Sequence, residues 1–206
     1  MPSAQTEAPA TTPSTEQVVR TSKQSALRDS VLGTRNLMTV AALAVVGSLL
    51  VVPMSFFGHA AATSPKNVIA LCALMGAWLI AYALPGVIVR KPGAFIVGGL
   101  IIGVISSFTT PLGFGAIPGN LLGAAFIELP FLIFLYRKWD WWLYAIGATV
   151  FGGMNGTAYA YAMKVAMTPT QATIAIAVSL LSAYAGMAAC FGLRKALART
   201  GVGIAK

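Results

Sequence analysis

Six apolar runs, each about as long as a bilayer is thick, set what this chain can become. They lie at about 36–57, 68–89, 93–109, 115–136, 142–162 and 170–193. A tilted spanning helix needs ~17–25 such residues. The separators carry turn chemistry: 59–67 with Pro65, Arg90-Lys91-Pro92, 110–114 with Pro111, 137–141, and 164–169 ending at Pro169. Ahead of the runs, residues 1–34 form a polar tail rich in Ser, Thr, Pro and Ala. It lacks the apolar core of a secretory signal peptide, so no cleavage is expected. The tail is expected to be disordered, with Asp29 or Ser30 capping a short turn before the first span. The expected fold is an all-α integral membrane protein. Its six-helix transmembrane domain covers 35–195 and a C-terminal tail covers 196–206.

Composition agrees. The chain is 57% hydrophobic and 9% charged, whereas a soluble domain carries about 25% charged residues. A net charge of +9 would suggest nucleic acid in a soluble protein, but here the basic residues sit between apolar runs and no nucleic-acid partner is expected. With six spans, Arg20, Lys23, Arg28, Arg35, Arg90, Lys91, Arg137, Lys138, Arg194, Lys195, Arg199 and Lys206 fall on one side, and only Lys66 and Lys164 on the other. That bias predicts both termini in the cytoplasm and a multi-pass protein of the cell membrane. Trp139, Trp141, Trp142 and Tyr144 then read as an aromatic anchor at the inner interface. Cys72 and Cys190 lie inside apolar runs and read as small core residues.

Small residues recur at helical spacing: Gly115/Gly119/Gly123, Gly99/Gly103, Gly152/Gly156 and Ala44/Ser48. In lipid such stripes let helices approach closely, within the bundle or against a partner. Pro53, Pro85, Pro118 and Pro130 are expected to kink their spans.

Of five acidic residues only Glu128 falls within an apolar run. A carboxylate at that depth faces the protein interior and needs a partner. No Arg or Lys shares its depth. Three roles stay open: contact with a ligand, a structural hydrogen bond to a neighbouring helix, and proton coupling. Asn120, Asn155, Tyr159 and Tyr161 concentrate polar and aromatic groups in the outer half of the later spans, with Trp78 central in the second, which suits a pocket for a small, flat, polar solute.

Several chemistries are missing. The sequence has no P-loop, no H-E-x-x-H and no Cys/His cluster for a metal. His59 is its only histidine, so no Ser-His-Asp set can be assembled. Neither enzymatic activity nor a cofactor is expected.

Three stretches bring a known family to mind: Arg90-Lys91-Pro92-Gly93-Ala94, the run GAAFIELPF at 123–131, and LARTGV at 197–202. In order and spacing they resemble the S components, the substrate-binding membrane subunits, of energy-coupling factor (ECF) vitamin transporters, most closely the YkoE-type group associated with thiamine and hydroxymethylpyrimidine. The resemblance implies six spans with cytoplasmic termini, an outward-facing pocket, and a partner complex of a transmembrane coupling protein with two ATPase subunits. In that frame Glu128 would accept hydrogen bonds from an aminopyrimidine, Asn120 and Asn155 would orient the ligand, and Trp78, Tyr159 and Phe108 would stack on it. Partner contacts are expected at Ala44 and Ser48 on the first span and at Arg90 and Lys91 in the inner turn. The sequence departs from the family at three points. Ala44-x3-Ser48 stands where many members carry Ala-x3-Ala, Gly98 and Gly99 stand where thiamine-type relatives carry an acidic residue, and their Gln near Gly123 is missing. The rival reading is a stand-alone proton-coupled small-solute transporter or channel that uses Glu128.

Overall fold

The computed structural model describes residues 30–61, 64–162 and 165–199. Of the N-terminal tail expected to be disordered, 1–34, residues 1–29 lie outside them, as do residues 200–206 of the expected C-terminal tail. Among the described residues the protein is all-helical. Its elements are α1 (Thr34–Ala61), α2 (Pro65–Ala73), α3 (Met75–Val89), α4 (Ala94–Thr109), a 3-10 turn (Gly113–Gly115), α5 (Ala116–Ile133), α6 (Trp141–Ala162) and α7 (Pro169–Arg199). Four of these units are long and apolar enough to cross a membrane: α1, α2–α3 taken together, the 3-10 turn with α5, and α7. α4 is apolar but shorter. α6 has 22 residues, and Thr149, Asn155 and Thr157 temper its hydropathy.

Helices α2 and α3 form the centre. In their apolar window 67% of residues are buried, against 28% for α1. α3 packs on α1, α4 and α7; α4 packs on α5, α5 on α6, and α6 on α7. The break between α2 and α3 falls at Leu74, while Pro85 rides inside α3. No proline causes the break. Ser182 of α7 occupies it: its hydroxyl donates to Ala73 O at 2.5 Å and accepts from Gly76 N at 2.8 Å. Backbone groups freed by an interrupted helix are thus satisfied from the neighbouring helix. Gly76 and Gly186 meet backbone to backbone beside it, leaving no room for a side chain on either.

The stripes Gly99/Gly103 and Gly152/Gly156 are used inside the bundle. A methyl group on Gly99 would stand 2.5 Å from Ala124 Cβ, and one on Gly152 2.9 Å from Ala183 Cβ. Ala44 and Ser48 are likewise turned inward, 0% and 4% exposed. The outer side of α1 is instead Met38, Val45, Val46 and Leu49, all exposed.

Two boundaries depart from expectation. α5 ends at Ile133 because Leu135 and Tyr136 take left-handed conformations (φ 50° and 55°), a costly arrangement for residues with a Cβ. α7 runs on to Arg199, so the expected tail of 196–206 begins as helix. Of the expected aromatic anchor, Trp141 is exposed, but Tyr144 is fully buried. Trp139 also packs inward, tilted against Phe131 at 5.0 Å and stacked with Phe95 at 6.5 Å.

Candidate ligand cavity

Side chains at i, i+4 spacing on three helices converge on one space. Met75, Trp78 and Tyr82 come from α3, Ala116, Gly119, Asn120 and Gly123 from α5, and Phe151, Asn155 and Tyr159 from α6. Val51, Ser55 and Gly58 of α1, Leu112, and Leu122 of α5 complete the lining. They enclose about 480 Å³, within the range of small-molecule sites. Helical periodicity places each trio on one face, and Gly119 keeps the wall open, since a Cβ there would meet nothing within 4 Å.

The polar groups are unequally committed. Asn120 is 7% exposed; its Oδ1 accepts from the Tyr82 hydroxyl at 2.8 Å and its Nδ2 donates to Ala116 O at 2.6 Å. Tyr82 also sets its ring against Phe151, centroids 6.0 Å apart at 60°. Asn155 donates through Nδ2 to Phe151 O at 2.8 Å, which leaves its Oδ1 available as an acceptor. Trp78 Nε1 and the Tyr159 hydroxyl complete a small set of groups at the wall. Among the described residues the lining has no Asp, Glu, His, Cys, Lys or Arg. The side chain of His59, next to Gly58, lies outside the described residues.

The sequence-predicted residues therefore divide. Trp78, Asn120, Asn155 and Tyr159 meet at the cavity, whereas Glu128 and Phe108 are not in its lining. Phe108 is 77% exposed and packs edge-on against Phe114. Glu128, 2% exposed, lies two turns further along α5. Its Oε1 accepts from Gly93 N at 2.5 Å and from the Tyr136 hydroxyl at 2.6 Å, and its Oε2 accepts from Ile96 N at 3.0 Å. Gly93 is the N-cap of α4 and has no side chain to cap with. The carboxylate of α5 does that work from outside, satisfying orphan N–H groups and facing the positive end of the helix dipole. The left-handed turn at Leu135 and Tyr136 swings the phenol back to it. Tyr136 lies beyond the end of α5, and burial together with the Glu128 carboxylate pushes its hydroxyl pKa up.

Tyr82, Phe151 and Met75 were not singled out from sequence, and Gly119 only as part of a small-residue stripe. The signal was present in the i, i+4 register that joins Tyr82 to Trp78 and Phe151 to Asn155 and Tyr159.

Residues 35–154, more than half of the chain, match the family described as "ABC-type cobalt transport system, permease component". The chain belongs to this family. No curated protein matches it. Among solved structures, a crystal structure of an S-component of an ECF transporter superposes with a TM-score of 0.67 over 82% of this chain and 87% of that one, at 19% identity. At that identity the likeness establishes the fold. This member of the permease family is thus a multi-pass membrane protein of a transport family with the S-component fold.

Proposed function

We propose that the chain is the substrate-binding S component of an ECF-type ABC importer. It captures a vitamin or vitamin precursor from outside the cell, and an ECF coupling protein and two ATPase subunits supply the energy for uptake. Six spans with both termini in the cytoplasm accompany this reading, supported by twelve basic residues on one side against two on the other. The cavity then opens towards the outside, while Arg90, Lys91 and Glu128 lie near the inner surface.

The observation that carries the proposal is the chemistry of the cavity wall. Cobalt, named in the family's description, is held by imidazole, thiolate or carboxylate ligands, and the described wall offers none of them. It offers ring faces from Trp78, Tyr82, Phe151 and Tyr159, with amide groups from Asn120 and Asn155. Ring faces hold a flat heterocycle or a delocalised cation, and Asn155 Oδ1 suits an exocyclic amino group. Thiamine and hydroxymethylpyrimidine have these features. Glu128 serves as a helix cap and not as a ligand contact. The same engagement with three donors argues against a proton carrier at this position, and so against the proton-coupled alternative.

Tryptophan fluorescence of the purified protein, titrated with thiamine, hydroxymethylpyrimidine, other vitamins and cobalt chloride, tests this. The expected outcome is saturable quenching by a heterocyclic vitamin or precursor, lost in Asn155→Ala and in Trp78→Phe. Saturable quenching by cobalt alone overturns it.

A further inference from the structure

The end of the bundle away from the cavity holds a second polar cluster. Arg90 follows α3 in a left-handed conformation (φ 50°, ψ 43°), twelve residues on from Trp78 and so ~18 Å along the axis. Its Nε is buried and has no hydrogen-bond partner. The hydroxyl of Tyr144, on a fully buried side chain, faces the Arg90 guanidinium and has no acceptor of its own. Arg194 comes to the same place: Tyr144 packs on Phe191, one turn before it on α7, at 5.2 Å, and the two guanidinium groups and the Tyr144 hydroxyl are close enough to interact.

Nothing negative offsets them among the described residues. Glu128 is taken by Gly93, Ile96 and Tyr136, and Asp140 accepts from Trp142. Two like charges, a buried guanidinium N–H without an acceptor and a buried hydroxyl are unfavourable together unless an anion joins them. Guanidinium groups suit phosphate, which takes two N–H groups at once, and basic pockets between helices at a membrane surface receive phospholipid headgroups.

We propose that Arg90, Arg194 and Tyr144 form a binding site for a phosphate group, carried by an anionic lipid headgroup or free in solution. The site is separate from the solute cavity and does not depend on what that cavity holds.

The test uses the full chain in a neutral detergent, with thermal unfolding followed by tryptophan fluorescence. Soluble short-chain phosphatidylglycerol, phosphatidylcholine of the same chain length, and inorganic phosphate at constant ionic strength are the probes. The expected result is a saturable rise in Tm of ~3 °C or more with phosphatidylglycerol and none with phosphatidylcholine. An equal rise with inorganic phosphate assigns the site to free phosphate; a rise with phosphatidylglycerol alone assigns it to lipid. Arg194→Gln abolishes the rise and Tyr144→Phe at least halves it, while Lys138→Gln, an exposed charge outside the cluster, leaves it intact. The proposal is overturned if neither phosphate source shifts Tm, if Arg194→Gln responds as the unaltered chain does, or if Lys138→Gln loses the response equally. It is also overturned if Asp29→Asn creates a response that the unaltered chain lacks, since the tail carboxylate would then be the resident anion.

Discussion

Replacing Glu128 by Leu should unfasten α4 without touching the cavity. The substitution removes the acceptor of two backbone N–H groups and one phenol. Each buried donor left without a partner costs ~1–3 kcal/mol, and loss of a charge at the helix N-terminus adds up to ~1 kcal/mol. Water can reach part of the site, because these bonds are only partly buried, so a total of ~3–6 kcal/mol is reasonable. Glu128→Gln keeps one acceptor oxygen but points an NH2 at a donor; about half that loss, ~2–3 kcal/mol, is expected. The effect on ligand affinity should be less than about twofold, since Glu128 lies eight residues, ~12 Å, beyond Asn120 on α5. Thermal and denaturant unfolding in detergent gives the stability, and a ligand titration of the folded fraction gives the affinity. The capping argument would be refuted by a Glu128→Gln protein that is fully stable yet no longer binds its ligand.

Three further outcomes follow from the packing. Ser182→Ala strips both partners from the α2–α3 break and should lower stability by ~1–3 kcal/mol, read as a drop in Tm. Gly119→Leu should abolish ligand binding with little change in Tm, because its Cβ enters open space, whereas Gly99→Val should destabilise by ~1–3 kcal/mol or more through its clash with Ala124; the pair separates cavity filling from overpacking. Tyr82→Phe frees Asn120 Oδ1 to reorient, so binding should change by up to about tenfold with a small stability cost of ~1 kcal/mol.

How far the structure was legible from sequence depends on the kind of signal. Apolar run length is a sum over many residues, and it located the helices to within a few positions. Breaks and turns hinge on single contacts. Pro85 lies inside α3, while the break at Leu74 depends on a hydroxyl more than a hundred residues away. Asn120, Asn155, Trp78 and Tyr159 were legible as cavity groups because polar and aromatic residues at shared depth have few other places to go. Phe108 was misplaced since depth says nothing about the direction in which a side chain points. For Glu128 a structural hydrogen bond to a neighbouring helix was one of the three roles the sequence left open, and it is the one the structure shows. Its main partners are backbone N–H groups, which every residue but proline carries and no sequence pattern marks. Ala44 and Ser48 show the same limit: a small-residue stripe does not tell whether it packs inside the molecule or against another.

The cap on α4 also bears on how the protein is made. Gly93 and Glu128 are 35 residues apart, so α4 leaves the ribosome well before the carboxylate that finishes it. Until then a short apolar segment enters the membrane with open N–H groups at its start. Glu128 in turn would enter lipid alone at a cost of up to ~3 kcal/mol, the value for an ionised residue at the centre of a span, and less nearer its end. Each defect cancels the other when α4 and α5 enter together as a hairpin. Insertion of this pair is therefore a single event, and a chain cut between residues 109 and 128 should leave α4 poorly held in the bilayer.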